Sequence, residues 1–234
     1  MDALQRVIPA LDTDDLKEAC AWVERFLGKL RIFKVGSQLF TREGPRSVEA
    51  IREMGGEVFL DLKYHDIPNT VGRAVAAATS LGVTFLNVHA SGGAEMVRAA
   101  VLSSREEAER RGIEAPRVLA VTVLTSLDVA QLNEVGMQGD VETCVMRLAE
   151  MAVRAGVDGL VASPREVRGL RAAFGKGVVL VTPGIRSQPA VGDDQKRVMG
   201  PREALEAGAD YLVMGRSLLE AQDPMAVLGE LQGP

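Results

Sequence analysis

The run Phe59-Leu60-Asp61-Leu62-Lys63-Tyr64-His65-Asp66-Ile67-Pro68-Asn69-Thr70 begins as an apolar strand and then sets two carboxylates and an ammonium close together. Asp61 and Lys63 lie two residues apart, a spacing that puts both side chains on one face of a strand. Asp66 follows just before an Ile-Pro break. Opposite charges ~4 Å apart at an effective dielectric of ~20 attract by about 4 kcal/mol before desolvation. Such a cluster is either a structural ion-pair network or an active site. As a site, an ammonium aimed by carboxylates can stabilise negative charge developing on a substrate and then deliver a proton to it.

The elements around the cluster favour the second reading. Short apolar runs at Arg6–Leu11, Arg31–Gly36, Val58–Lys63, Phe85–Ala90, Val118–Leu124, Gly159–Ala162, Val178–Thr182 and Tyr211–Gly215 read as strands. Helical periodicity lies between them, at Leu16–Leu27, Val71–Leu81, Ala94–Arg111, Val141–Ala155 and Arg202–Ala207, and several of these segments end at a glycine. Eight strands alternating with helices in 234 residues predict a (β/α)8 TIM barrel that spans residues 1–234 as one α/β domain. A doubly wound open sheet would show a glycine-rich turn after the first strand. Here that turn reads Leu11-Asp12-Thr13-Asp14-Asp15. Residues 184–197 form the one long loop, a length that in a compact barrel often serves as a lid.

Barrels of this class carry their chemistry at the carboxyl ends of the strands. Those ends bear Asp12, Lys34, Asp61 with Lys63, Asn87 with His89, Thr125-Ser126, Gly184 to Arg186, and Gly215-Arg216-Ser217. Each has a bland alternative. Asp12 could cap the first helix, Lys34 could sit in a rim ion pair, His89 could be a hydrogen-bonded residue behind the site, and His65 could face solvent or pack on the rim. Structural accident does not explain charges at the ends of strands one, two and three together. Glycine and arginine after strands seven and eight fit a phosphate site, each guanidinium offering a forked, permanent donor. These residues point to an enzyme acting on a phosphorylated small molecule. No cofactor or metal-ligand motif is visible.

Composition narrows the class further. A net charge of −5 argues against a general nucleic-acid binder while leaving room for a local basic pocket. The two cysteines, Cys20 and Cys144, have no metal-ligand spacing and imply a reducing compartment. The start lacks a basic and apolar leader, and no apolar run approaches the ~20 residues of a membrane helix. The expectation is a cytoplasmic protein with no membrane partner.

The segment Asp61–Thr70 resembles the signature of the orotidine 5′-phosphate decarboxylase family. Lys34-Val35-Gly36, Leu124-Thr125-Ser126, Thr182–Arg186, Asp194–Arg197 and Met214–Ser217 also occur in that family's order. The resemblance implies decarboxylation of orotidine 5′-phosphate to UMP without a cofactor or metal, at a tetrad of Lys34, Asp61, Lys63 and Asp66. It implies that Asp12 and Lys34 bind the ribose and that Thr125-Ser126 meet the pyrimidine edge. Gln195 would bridge base and phosphate, and Arg186, Gly215 and Arg216 would hold the phosphate. It further implies a homodimer in which Asp66 and Thr70 reach into the neighbouring subunit's site. A metal-using hexulose-phosphate synthase shares Asp-x-Lys-x-x-Asp, but Ile67-Pro68-Asn69-Thr70 argues against it. A catalytically silent nucleotide-binding barrel is the other rival.

Overall fold

The computed structural model describes residues 2–186 and 197–231. Among them, eight parallel strands run around a barrel: β1 (Val7–Pro9), β2 (Ile32–Gly36), β3 (Glu57–Tyr64), β4 (Phe85–His89), β5 (Arg117–Val121), β6 (Gly159–Val161), β7 (Val179–Thr182) and β8 (Tyr211–Met214). Each strand pairs with the next from β2 to β8, and β8 pairs with β1. The remaining seam, β1 to β2, closes through a parallel bridge between Ala10 and Lys34, where Leu11 N–H donates to the Lys34 carbonyl at 2.9 Å. The expected (β/α)8 barrel is therefore the fold, and it shuts at a residue expected to do chemistry.

The barrel interior is layered by strand alternation. Ile8, Ile32, Phe59, Phe85, Leu119, Val181 and Tyr211 form a buried apolar plug, separate from the larger belt between strands and helices. Phe85 meets Phe59 and Tyr211 edge-on, with ring centroids 6.0 and 5.2 Å apart. Two residues beyond Ile32, Phe59 and Phe85, the same inward face carries Lys34, Asp61 and Asn87, all buried. The apolar plug is thus the floor on which a polar layer stands.

Helices join the strands, as parallel pairing requires. The five helical segments read from periodicity fall at Leu16–Phe26, Pro68–Ser80, Gly93–Arg111, Val141–Arg154 and Pro201–Ala207. Among the described residues, six more α-helices, including Ser37–Glu43, Val129–Glu134 and Arg216–Leu219, span four to eight residues and were not read from the sequence. Asp15, not Asp12, caps the first helix by accepting from Lys17 N–H at 2.8 Å, which leaves Asp12 to the barrel mouth. Among the described residues, no helix is long and apolar enough to cross a membrane.

β1 and β5 end earlier than the apolar runs do, at Pro9 and Val121. Proline has no N–H to offer the ladder, and the chain after Val121 turns into the loop that carries Thr125. At β6, Gly159 lies so close to its neighbours that a Cβ there would meet the Val179 carbonyl oxygen at 2.5 Å and Leu119 Cδ2 at 2.8 Å. Gly159→Ala is expected to cost about 1–3 kcal/mol through overpacking, lowering Tm by roughly 2–4 °C per kcal/mol. An unchanged Tm would show that β6 can shift away at no cost.

Candidate active site

A cavity of about 510 Å³ opens at the carboxyl ends of the strands. Its wall includes Asp12, Lys34, Asp61, Lys63, Thr125, Arg186, Gly215 and Arg216. The structure therefore gathers eight of the expected site residues around one space. Ser126 is half-buried beside Thr125 but does not line the cavity, and Gln195 lies outside the described residues. Asp66 and Thr70 are exposed and do not line it.

The charged residues form one chain of contacts. Lys34 Nζ lies 3.0 Å from Asp12 Oδ1 and 3.3 Å from Asp61 Oδ2. Lys63 Nζ donates to Asp61 Oδ1 at 2.7 Å. Asp61 is thus held between two ammoniums. Burial alone would push its carboxyl up, but Lys34 and Lys63, with hydrogen bonds from Lys63 and Asn87, hold it at about 2. Burial likewise pulls on the Lys34 ammonium, yet Asp61 and Asp12 outweigh it and raise the pKa. Both groups stay charged, and the cluster keeps its ions at neutral pH. Gly36 makes the Asp12–Lys34 contact possible, since a Cβ there would sit 3.0 Å from both Asp12 Oδ1 and Lys34 Nζ.

Lys63 reaches Asp61 by a route that strand alternation does not give. Between Leu60, opposite Leu86, and Tyr64, opposite Val88, β3 spends four steps where β4 spends two. The excess forms a bulge, and Lys63 takes φ 50°, the only positive φ outside glycine among the described residues. The expected shared face is therefore corrected. The two side chains do meet, but through a left-handed backbone at Lys63. Its N–H bonds to Asn87 Oδ1 at 2.8 Å, while Asn87 Nδ2 donates to Asp61 Oδ1 at 2.6 Å. Sequence reading placed Asn87 at a strand end and gave it no task.

The two histidines settle differently from one expectation. His65 is exposed on the rim, its ring centroid 5.5 Å from that of His89. The His89 ring makes no hydrogen bond to another side chain or backbone group among the described residues, while its backbone pairs with β5 at Val121. Burial, then His65 and Lys63, lower its pKa. Among the described residues, no group of three or more His, Cys, Asp or Glu could hold a metal ion.

The far side of the cavity is tied together by backbone and arginine. Ser217 Oγ donates to the Ile185 carbonyl at 3.0 Å, joining the turns after β7 and β8 that carry Arg186 and Arg216. Arg197, buried, pairs with buried Glu166 and donates through Nη2 to the carbonyls of Val123 (3.2 Å) and Leu124 (2.9 Å). That contact fixes the segment leading into Thr125. Sequence reading included Arg197 in a motif but missed this role, because its partners lie far away in the chain.

Comparison with known proteins shows the family. The orotidine 5′-phosphate decarboxylase / HUMPS family profile matches residues 5–231. The orotidine 5′-phosphate decarboxylase of Trichlorobacter lovleyi is 51% identical over 224 residues, covering 96% of this chain and 92% of that one. Its counterpart from Moorella thermoacetica is 50% identical over 227 residues, covering 97% and 90%. The crystal structure of orotidine 5′-phosphate decarboxylase from Lactobacillus acidophilus superposes with a TM-score of 0.83 at 36% identity, covering 97% of each chain.

The ionisation of Asp61 has a measurable consequence. A carboxyl depressed from its ordinary 3.8 to about 2 contributes its full stability above the unfolded value and loses it as pH falls through the folded value. The stability difference between the native chain and Asp61→Asn is therefore expected to stay constant down to pH about 4 and to change between about 4 and 2. Denaturant unfolding across that range measures it. A difference that already varies between neutrality and pH 5 would place the Asp61 ionisation elsewhere.

Proposed function

The chain belongs to the orotidine 5′-phosphate decarboxylase / HUMPS family, and from that premise we propose how its residues convert orotidine 5′-phosphate to UMP. The reaction, a carboxy-lyase step, is the last of de novo pyrimidine biosynthesis. The observation that carries the proposal is the Lys63 ammonium, set 2.7 Å from Asp61 at the cavity wall with Lys34 behind it.

Decarboxylation breaks the bond between C6 of the pyrimidine and its carboxylate. Carbon dioxide leaves, the electron pair stays on C6, and no ring position readily absorbs it. Lys63 stabilises that pair electrostatically and then donates a proton from Nζ to C6. Solvent returns the proton to the lysine. Asp61 holds Lys63 charged and aimed, and lies beside the position of the departing carboxylate. Asp12 and Lys34 take the ribose hydroxyls, and Thr125 with Ser126 meets the pyrimidine edge. Arg186, Gly215 and Arg216 hold the phosphate, whose binding energy is spent at a distance from the reacting carbon. Gln195 is assigned the bridge between base and phosphate.

Asp66 completes the tetrad from a second copy of the chain. Within one chain its carboxylate accepts only from the adjacent Ile67 N–H, at 2.6 Å, and forms no ion pair among the described residues. Ile67 beside it is 66% exposed, and Thr70 is exposed on the next helix. A homodimer that buries this corner would bring Asp66 and Thr70 to the partner's cavity. Residues 1–234 are read as one barrel domain that acts in the cytoplasm, where free thiols such as Cys20 and Cys144 persist.

Two measurements test these roles. Lys63→Ala is expected to abolish turnover while binding of UMP persists, and retained turnover would remove Lys63 from the chemistry. Mixing Lys63→Ala with Asp66→Ala chains should restore activity, because one site of each hybrid dimer regains both residues, or about a quarter of all sites after random pairing. No recovery in verified hybrids would contradict a partner-supplied Asp66.

A further inference from the structure

We propose that Asn87 is a positioning residue for decarboxylation, its carboxamide fixing where the Lys63 ammonium sits. The inference rests on the decarboxylase reading of this same cavity and adds a residue to which no role there was given. Asn87 is fully buried on β4, one alternation step above the apolar plug. A buried amide is costly unless bonded, and an aliphatic side chain would complete the plug more cheaply. Both hydrogen bonds that the Asn87 carboxamide makes among the described residues go to the Lys63–Asp61 pair.

The amide orientation is forced by its partners. A carboxylate can only accept, so Nδ2 faces Asp61, and a backbone N–H can only donate, so Oδ1 faces Lys63. One end therefore holds the left-handed backbone of Lys63, and the other shares the Asp61 oxygen that Lys63 Nζ binds. Lys63 is pinned at both ends of its side chain through one neighbour. Without that neighbour the lysine backbone can leave the left-handed region, and its ammonium shifts.

Two variants test this. Asn87→Ser leaves the pocket open and is expected to lower kcat about 100-fold, the scale of an ångström-sized misplacement, with KM and UMP affinity changed only about threefold. Asn87→Asp keeps the shape and the acceptor for Lys63 N–H but sets a second carboxylate against Asp61. Two carboxylates at hydrogen-bond distance share a proton at low pH, which restores a donor, and lose it as pH rises. The groups that set this titration are Asp61 and Lys63 on β3, Lys34 on β2 with its partner Asp12, and His89 on β4 with His65 beside it. The kcat of Asn87→Asp relative to wild type should therefore fall with rising pH, an ionisation that a merely structural asparagine would not introduce. Wild-type turnover tests the decarboxylase reading separately. The proposal is overturned if kcat of both variants stays within about threefold of wild type, if KM alone rises, or if the Asn87→Asp profile parallels the wild-type one. It is also overturned if neither variant folds, since Asn87 would then serve the fold alone.

Discussion

A carboxylate buried at the top of a barrel is tolerable only when enough donors surround it, and Asp61 is placed where three strands can supply them. Lys34 comes from β2, Lys63 from its own strand and Asn87 from β4. The cost of burying Asp61 and Lys34 is offset by their mutual attraction, which holds the carboxyl low and the Lys34 ammonium high. Without Asp61, Lys34 and Lys63 would lose the one carboxylate that both contact. In the mechanism proposed above, the shared anion is what lets the site present positive charge to a developing carbanion.

The rest of the barrel follows from this demand. The aromatic plug of Phe59, Phe85 and Tyr211 gives the polar layer a rigid floor. The seam between β1 and β2 closes on the Lys34 backbone, so the fold's last hydrogen bonds also position a member of the cluster. Across the cavity, the Ser217–Ile185 bond and the Arg197–Glu166 pair tie together the turns that would meet phosphate and base. Burial remains the larger effect on Glu166 and pushes its carboxyl up even beside Arg197. On the proposed mechanism, one end of the site does the chemistry, and the other would hold a remote group whose binding energy assists it.

Much of this was legible in the sequence. Apolar runs with glycine stops gave the strand order, because parallel barrel strands are buried on both faces and read as continuous hydrophobic stretches. The strand-end residues Asp12, Lys34, Asp61, Lys63, Arg186 and Arg216 could be named because the fold fixes which end is active. The left-handed backbone of Lys63 was not legible, since it arises from a register mismatch with β4 that no local pattern in β3 encodes. Asn87 was visible as a polar residue in an apolar strand, but a lone asparagine does not declare its partners. The Arg197–Glu166 pair spans 31 residues and has no spacing signature. Asp66 and Thr70 lie outside the cavity of their own chain, so only the family resemblance assigned them to it.

The central claim is that a fixed ammonium, rather than a metal ion, carries the negative charge left on the pyrimidine. The direct measurement is loss of orotidylate absorbance on adding the purified chain, with and without excess chelator. Conversion to UMP at the same rate in both is expected. No absorbance change, or turnover that the chelator abolishes and a divalent cation restores, would contradict the claim.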